Sequence, residues 1–389
     1  MKKFLFPTLL LVLSVSLHSC KSDAATDGGG AEGPIELPPP ESDYEAADFK
    51  WGFINKSGQL VIETRFDEVR PFSEGMAVVR LGGKWGYIRP DGQIAIAPAF
   101  KGAWAFHNGL ARVETYESGF GFINPQGEMV IPAQWEAAGN FSNFRAWVRS
   151  GTRYGYLAPD GSLAIDTLLE KANDFTDKLA VARQDGKYGL IDPDGQWVIP
   201  AEYDRIAPFA GGLARARVNG KFGFLTPDNQ WKIDPQYLDA QDFSAGHAVV
   251  ASNDGYGLID KNGEATIAPA YDMMFYAGEE RWVVGRSGLF GLTTASGELL
   301  TPVQYEQIYA FSEGVAPFLK DYLWGMLGPD GREVAPAIFG LLWPQREGLS
   351  RAAIREGFAF INASGQIKIP PAYQDMKDFS EGLAPVQSF

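Results

Sequence analysis

The sequence predicts an all-β protein of ten tandem repeats of about 34 residues, each an antiparallel meander. An aromatic residue followed by Gly recurs every 34 residues, with one spacing of 35, from Trp51-Gly52 to a tenth copy at Phe358-Ala359. Seven residues after each aromatic residue stands Gly or Asn, and a mostly aromatic position follows eight residues later. Three series in one phase indicate a single array, although 389 residues would otherwise suggest two or three domains.

The strands within one repeat are predicted from short apolar runs between turn residues. In the second repeat the runs and turns are, in order, Ala77–Arg80, Gly82-Gly83, Lys84–Ile88, Pro90-Asp91-Gly92 and Gln93–Ile96. Gly-Gly and Asp-Gly pairs indicate hairpins, because tight hairpin turns require positive φ and these residues adopt it readily. A period of 34 also occurs in helical tetratricopeptide repeats, but runs this short leave no room for helices. We predict three strands, the third ending near Pro98, and a short fourth strand around Phe66–Val69.

These residues resemble a known bacterial family. Lys84-Trp85-Gly86-Tyr87-Ile88, Lys187-Tyr188-Gly189-Leu190-Ile191-Asp192 and Phe379-Ser380-Glu381-Gly382 are similar to the motifs of the WG repeat. The resemblance covers about 340 residues, although Phe or Tyr replaces Trp in most copies and the Ser-Glu-Gly turn is lost in three. It implies a β-repeat module and no catalytic residue.

The two ends of the array are complementary. The first repeat starts at Lys50-Trp51 without the strand that precedes every later aromatic-Gly pair, and the chain ends with such a strand at Gly382–Val386. Pairing the ends would remove exposed sheet edges, so the sequence favours a closed, propeller-like ring. An open β-solenoid is the alternative, because propellers typically have about four to eight blades.

The N-terminus predicts an export signal. Lys2 and Lys3 precede an apolar run from Phe4 to Leu17, too short to cross a membrane, and the only cysteine, Cys20, follows. The arrangement resembles a bacterial lipoprotein signal, with residues 1–19 removed and Cys20 lipidated. An ordinary signal peptide is the alternative. Residues 20–48 read as an acidic, Gly- and Pro-rich tether, and residues 49–389 as the repeat domain.

Composition excludes several functions. The net charge of −14 argues against nucleic acid as a partner. With one Cys and three His, we predict no Cys/His zinc site, no other metal site and no cofactor. His107 and His247 occupy turn and apolar positions of the repeat, so we assign them local structural roles. No catalytic constellation and no phosphate-binding loop is recognisable, so we predict no enzyme activity.

Five aromatic residues are candidate ligand contacts because their repeat positions alternate between large aromatic and charged or small residues. Trp104, Phe275, Tyr309 and Trp343 share a position with Arg70, Ala207 and Gln241, and Trp147 shares another with Arg112, Arg215 and Arg351. Exposed Trp, Tyr and Arg are frequent contact residues at interfaces. Local packing is the alternative explanation.

The sequence thus predicts a non-enzymatic binding or scaffold protein that presents repeat loops to a protein or glycan partner of the cell envelope. The lipid anchor would hold it at the outer membrane, on the periplasmic or the surface side. The alternative function is an envelope carbohydrate-active hydrolase or lyase that uses acidic loop residues.

Overall fold

The computed structural model describes residues 48–389, which form ten antiparallel sheets arranged in a ring like a ten-bladed β-propeller. This confirms the predicted all-β fold and the closed ring. The predicted signal peptide, Cys20 and all but the last residue of the predicted tether lie outside the described residues. Nine blades have four strands and one has three. Residues 48–389 contain no helix with the length and apolar character needed to cross a membrane.

The strands follow each other from blade to blade. Blade 1 begins with β1 (Trp51–Asn55) and β2 (Leu60–Phe66). Blade 2 holds β3 (Glu68–Ser73), β4 (Met76–Leu81), β5 (Lys84–Ile88) and β6 (Ile94–Phe100). Blade 3 holds β7 (Gly102–His107), β8 (Leu110–Thr115), β9 (Gly119–Ile123) and β10 (Met129–Trp135). Blade 4 holds β11 (Ala137–Ala138), β12 (Ala146–Ser150), β13 (Arg153–Leu157) and β14 (Leu163–Leu169). Blade 5 holds β15 (Lys171–Ala172), β16 (Ala180–Gln184), β17 (Lys187–Ile191) and β18 (Trp197–Tyr203).

The second half of the ring repeats this order. Blade 6 holds β19 (Arg205–Ala210), β20 (Leu213–Val218), β21 (Lys221–Leu225) and β22 (Trp231–Tyr237). Blade 7 holds β23 (Asp239–Ala240), β24 (His247–Ser252), β25 (Gly255–Asp260) and β26 (Ala265–Tyr271). Blade 8 holds β27 (Met273–Gly278), β28 (Arg281–Arg286) and β29 (Leu289–Thr293). Blade 9 holds β30 (Gln307–Ile308), β31 (Ala316–Lys320), β32 (Leu323–Leu327) and β33 (Glu333–Phe339). Blade 10 holds β34 (Leu341–Leu342), β35 (Ser350–Ile354), β36 (Gly357–Ile361) and β37 (Ile367–Ile369). Finally, β38 (Asp375–Met376) and β39 (Leu383–Gln387) complete blade 1.

Strand register explains the phased aromatic series. The aromatic residue of each aromatic-Gly pair faces the later aromatic position across the third and fourth strands, as in Trp85 opposite Phe100. The third strand predicted for each repeat is the fourth strand of the blade. In blade 2 this strand continues through Pro98 to Phe100, so the prediction that it ends near Pro98 was wrong. Proline is tolerated because this strand is a sheet edge and bulges at that point. The short additional strand predicted around Phe66–Val69 is the first strand of blade 2, and it spans Glu68–Ser73, slightly later than predicted.

The ring closes through blade 1, which both chain ends build. In this sheet β39 lies between β1 and β38, and Trp51 pairs with Gln387. The Ser388 amide donates to the Lys50 carbonyl at 2.9 Å. Closure therefore places backbone groups of both termini inside a four-stranded sheet rather than at exposed edges.

The Phe-Ser-Glu-Gly motif joins neighbouring blades. The Ser73 hydroxyl of blade 2 donates to the Phe106 carbonyl of blade 3, and the Glu74 carboxylate accepts from the Asn108 and Gly109 amides. Across the chain ends, Glu381 accepts from the Gly75 amide in the same way. The residue at the Glu position has φ between 47° and 59° in all ten blades, so the turn persists where its sequence is lost. First strands are thus linked to each other around the inside of the ring.

The core consists of contacts between blades. The motif Phe packs against an aromatic residue on the third strand of the preceding blade at six blade interfaces, with ring centroids 4.7–5.1 Å apart. The six pairs are Phe53–Phe72, Tyr87–Phe106, Phe122–Phe141, Tyr156–Phe175, Phe224–Phe243 and Phe360–Phe379. Such pairs contribute roughly 0.5–1.5 kcal/mol beyond the burial of their area. Because every core is shared, no single blade can bury its apolar surface alone.

Candidate functional site

All five predicted contact residues occupy one structural feature, a cross-strand pair between the first and second strands at the inside of each blade. In blade 8, Phe275 pairs with Val283 there, and in blade 10 the Trp343 amide donates to the Arg351 carbonyl. We call this feature the inner pair. From blade 2 to blade 1 the inner pairs are Arg70/Val78, Trp104/Arg112, Gly139/Trp147, Asn173/Val181, Ala207/Arg215, Gln241/Val249, Phe275/Val283, Tyr309/Pro317, Trp343/Arg351 and Lys377/Pro385.

The five aromatic side chains are partly exposed, and four of them, all but Phe275, lie against other rings of their own blades. Trp104 contacts Phe120, with centroids 5.6 Å apart, and Tyr309 stacks on Trp324 at 5.1 Å. Trp343 and Trp147 make similar contacts with Phe358 and Tyr154. One edge of each ring is therefore packed while part of its surface stays accessible.

Blade 4 shows how the pair shares its space. A Cβ atom on Gly139 would lie only 2.3 Å from the indole nitrogen of Trp147, so the Trp occupies the volume that the first-strand side chain fills in other blades. The two sequence positions from which the candidates were selected are therefore neighbours across the two strands. In blade 4 the large side chain at one position is accommodated by glycine at the other.

Cations accompany the indoles in four consecutive blades. The Arg351 guanidinium lies over Trp343 at 4.4 Å, and Lys377 lies over Trp51 at 4.5 Å. Arg70 lies over Trp85 at 4.9 Å, and Arg112 over Trp104 at 4.0 Å, the closest of the four contacts. Blades 10, 1, 2 and 3 therefore each present a cation on a Trp ring beside the inner pair, an arrangement in which cation–π attraction contributes about 0.5–2 kcal/mol.

The same cations bridge to the next blade. Lys377 donates to the Val69 carbonyl at 2.8 Å, and Arg70 to the Ala103 carbonyl at 2.9 Å. Burial lowers the pKa of Lys377 and that of Arg70, and nearby Glu68 opposes the decrease for both. These side chains hold neighbouring first strands together. The sequence analysis missed this role because the acceptors are backbone carbonyls, which are present in every residue.

Seven consecutive blades of the ring share a chemical character. From blade 8 through blades 9, 10, 1, 2, 3 and 4, every inner pair contains an aromatic or a cationic residue. Blades 5 and 7 instead carry Asn173 and Gln241 with Val partners. Blade 6, between them, has Ala207 with Arg215, whose guanidinium pairs with Asp242. We call the seven-blade stretch the inner arc. It contains all five predicted residues, in two groups separated by Lys377 and Arg70.

Inner pairs are matched to the following blade. Where the second-strand member is Arg or Trp, a polar residue faces it from the next first strand, as in Arg215–Asp242 at 2.9 Å and Arg351–Asp378 at 2.5 Å. Trp147 likewise interacts with the Asp174 carboxyl group. Where that member is Val or Pro, the facing residue is Pro, Ala or Tyr. This match between blades indicates that blade order is specified by side-chain complementarity.

A second feature lies between blades 7 and 8. A cleft of about 380 Å³ is lined by Ala245, His247, Glu280, Arg281, Trp282, Thr294, Ala295 and Ser296. The sequence analysis gave His247 only a local role. The missed signal is the set of blade 8 residues that depart from the repeat, above all Trp282, where eight blades have Ala.

The described residues give no geometric support for metal chemistry. Within residues 48–389, no group of three or more His, Cys, Asp or Glu side chains is placed to hold a metal ion. The predicted lipidation site, Cys20, lies outside this part of the chain.

Comparison with known proteins identifies the repeat. A family model described as "WG containing repeat" matches nine segments that together cover most of the chain. The segments are residues 51–85, 85–116, 120–151, 154–188, 188–222, 222–255, 256–279, 291–324 and 358–388. No curated protein sequence matches the chain significantly.

Several solved structures are similar in part. A crystal structure of the eukaryotic initiation factor shares 10% identity over 76% of this chain and 95% of its own, with a TM-score of 0.49. The computationally designed Ika8 protein shares 13% identity over 68% of this chain and 93% of its own, with a TM-score of 0.35. BamB from Moraxella catarrhalis shares 11% identity over 72% of this chain and 97% of its own, with a TM-score of 0.34.

Proposed function

Because this chain belongs to the family of proteins built from WG-containing repeats, and its repeats close into a ring, we propose that it is a non-enzymatic binding or scaffold protein of the cell envelope. A repeat ring of this kind suits binding or scaffolding in general, since it holds many side chains in a fixed array. The proposed partner is a protein or a glycan of the envelope, and it contacts the inner arc.

The observation that carries this proposal is the inner arc. The first-strand position of the inner pair has nine different residue types in ten blades, whereas the adjoining motif Phe is present in eight. A constant frame with varied, partly exposed side chains is suited to recognising one asymmetric partner. Trp, Tyr and Arg, which the arc concentrates, are the residues enriched at binding hot spots.

The proposed location follows from the N-terminal sequence. A lipid on Cys20 would attach the ring to the outer membrane, and residues 21–48 would act as the tether. The tether joins the ring at blade 1, in the middle of the inner arc. An anchored ring would therefore be held beside envelope polymers and proteins, on either side of the membrane.

Partner capture from envelope extract tests the function. We expect immobilised residues 48–389 to retain a specific protein or glycan, and the double variant Trp104→Gln, Trp343→Gln to retain about tenfold less, since hot-spot side chains contribute most of the binding energy. Gln is chosen because blade 7 carries it at the same position. Mass spectrometry and sugar analysis of the eluate provide the measurement.

The control is the pair Asn173→Ala, Gln241→Ala, which lies outside the inner arc and should retain the partner as the unchanged ring does. Equal retention by both variants would contradict a binding role for the arc. Retention of nothing by the folded ring would contradict the function itself. Release of new reducing ends from an envelope polysaccharide would instead favour the hydrolase or lyase.

Membrane fractionation tests the anchor. In a bacterial host, the full chain should stay with the membrane fraction until detergent is added, and Cys20→Ser should shift it to the soluble fraction, because an N-terminal lipid requires the thiol. Ser19→Ala is a suitable control, as it leaves Cys20 in place. A Cys20→Ser protein that still needs detergent would show that the lipid is not the anchor.

A further inference from the structure

The cleft between blades 7 and 8 lies where turns of both blades meet. Ala245 belongs to the turn between the first two strands of blade 7, and His247 is the first residue of the second strand, β24. Glu280 lies in the corresponding turn of blade 8, and Arg281 and Trp282 begin its second strand, β28. Residues 294–296 come from the turn after its third strand. Its volume of about 380 Å³ is within the range of small-molecule sites.

Residues that break the repeat pattern meet at this cleft. Trp282 replaces the buried Ala of eight other blades, and Ala277 replaces the motif Phe, so the large side chain comes from the second strand instead of the first. Glu280 stands where seven blades have Gly and keeps the left-handed backbone, with φ of 55°. Such a backbone costs a non-glycine residue of order 1 kcal/mol, and Phe144 and Lys178 adopt it at the same position in blades 4 and 5.

The Trp282 side chain leaves one polar atom unsatisfied. Trp282 is 1% exposed, and its indole Nε1–H has no hydrogen-bond partner within the described residues. A buried indole N–H normally finds an acceptor. Trp282 packs edge to face with His247, with centroids 5.6 Å apart, and also contacts Tyr276. The unsatisfied donor therefore belongs to a side chain that lines the cleft and has no equivalent in the other blades.

The polar groups of the cleft are both donors and acceptors. His247 Nδ1 lies 3.0 Å from the Ala245 carbonyl, which places the proton on Nδ1 and leaves Nε2 as an acceptor. The hydroxyl oxygens of Thr294 and Ser296 are 2.9 Å apart, and each hydroxyl can donate or accept a hydrogen bond. Adjacent donors and acceptors of this kind match the vicinal hydroxyl groups of a sugar.

The charges of the cleft favour a neutral ligand. The Glu280 carboxylate is opposed by the adjacent Arg281, whose guanidinium donates to the Pro329 carbonyl at 2.7 Å and to the Glu280 carbonyl at 3.0 Å. These contacts use two of the five N–H donors of Arg281, and its positive charge offsets that of the Glu280 carboxylate, so the two side chains together leave no net charge at the cleft. A single carboxylate beside an arginine offers little net attraction to a cation.

We infer that the cleft between blades 7 and 8 is a binding site for a neutral sugar residue of a glycan. Glu280 and His247 accept hydrogen bonds from sugar hydroxyls, Thr294 and Ser296 both donate and accept, and the buried Trp282 ring holds His247 in place through its edge-to-face contact. The inference deepens the proposed binding function and rests on it, since it selects a glycan among the partners of the ring.

Titration with neutral tetrasaccharides tests this site. Residues 48–389 should bind at least one of cellotetraose, maltotetraose and chitotetraose, observed by saturation-transfer NMR and calorimetry at millimolar concentrations. The variant His247→Leu, Glu280→Gly should bind about tenfold more weakly or worse, because two acceptors are lost. Both substitutions introduce residues that other blades carry at these positions, so its melting temperature should be equal or higher.

Two further variants keep the result interpretable. Phe144→Gly changes the position of Glu280 in blade 4 and should leave sugar binding unchanged. Trp282→Phe keeps a ring against His247 but removes the buried N–H, so it should leave sugar binding within about twofold and should not lower the melting temperature. Unchanged affinity in the His247/Glu280 variant, or no binding of any of the three sugars to the folded ring, would overturn the inference. If the envelope partner is still captured through the inner arc in that case, only the sugar site fails and the proposed function stands.

Discussion

Deleting residues 379–389 should unfold the whole ring rather than fray one blade. The deletion removes β39, which lies between β1 and β38 in blade 1. The lost side chains include Phe379, Leu383 and Val386, which are at most 9% exposed. Each contributes roughly 1.5–3 kcal/mol through burial. Their sum, about 5 kcal/mol or more, is comparable to the total stability of an average domain, about 5–15 kcal/mol.

The loss should spread because blade 1 is linked to both neighbours. Ser380 donates to the Phe72 carbonyl and Glu381 accepts from the Gly75 amide, so the deletion also breaks contacts with blade 2. Thermal unfolding followed by circular dichroism is the measurement. Removal of Phe389 alone is the control, since this residue is 81% exposed and should leave the midpoint unchanged. A deletion variant that keeps the original midpoint and loses only one blade's signal would contradict a cooperative ring.

The architecture was predictable because the repeats supply independent copies of the same signal. Nine aromatic-Gly pairs and the tenth copy, Phe358-Ala359, stand in one phase and define the repeat boundaries, and the complementary strands at the two ends indicate closure. The exact strand limits were less accessible. Pro98 suggested an early end to the fourth strand, yet a bulge lets an edge strand continue past it to Phe100.

The candidate site was predictable only in part. Aromatic residues in two positions that vary between blades led to the five aromatic residues of the inner arc. Their partners could not be found this way, because Lys377 and Arg70 bind backbone carbonyls, which every residue has. The role of His247 depends on Trp282, which lies on the next blade, so no local pattern around the histidine reveals the cleft.

The glycine of the aromatic-Gly motif has a steric cause. In the first seven repeats, a Cβ on this glycine would lie 2.3–2.6 Å from the carbonyl oxygen of an Ile on the fourth strand. The tenth repeat has Ala359 instead, and there the fourth strand is only three residues long, whereas it spans seven in the other four-stranded blades. The fourth strand therefore crosses closely over the third only where the third has glycine.

Substituting this glycine should be among the most damaging single changes in the chain. In Gly189→Ala the new Cβ would meet the Ile199 carbonyl at 2.4 Å, and backbone cannot move aside as a flexible side chain can. We expect a loss of about 2–3 kcal/mol in the free energy of unfolding, from the strain or from separation of the fourth strand. Urea unfolding at equilibrium gives this value, and hydrogen exchange of β18 shows which of the two occurs.

Two other glycines separate crowding from backbone preference. Gly75→Ala places a Cβ in open space but at φ of 75°, so it should cost only about 1 kcal/mol. In blade 8, which has no regular fourth strand, a Cβ on Gly291 would lie 3.0 Å from the nearest atoms, and Gly291→Ala should cost clearly less than Gly189→Ala. If all three changes were equally costly, close approach of the fourth strand would not be the reason for the glycine. If instead Gly189→Ala lowers the free energy of unfolding clearly more than the other two changes do, the glycine of the motif is required only where the fourth strand crosses closely over the third.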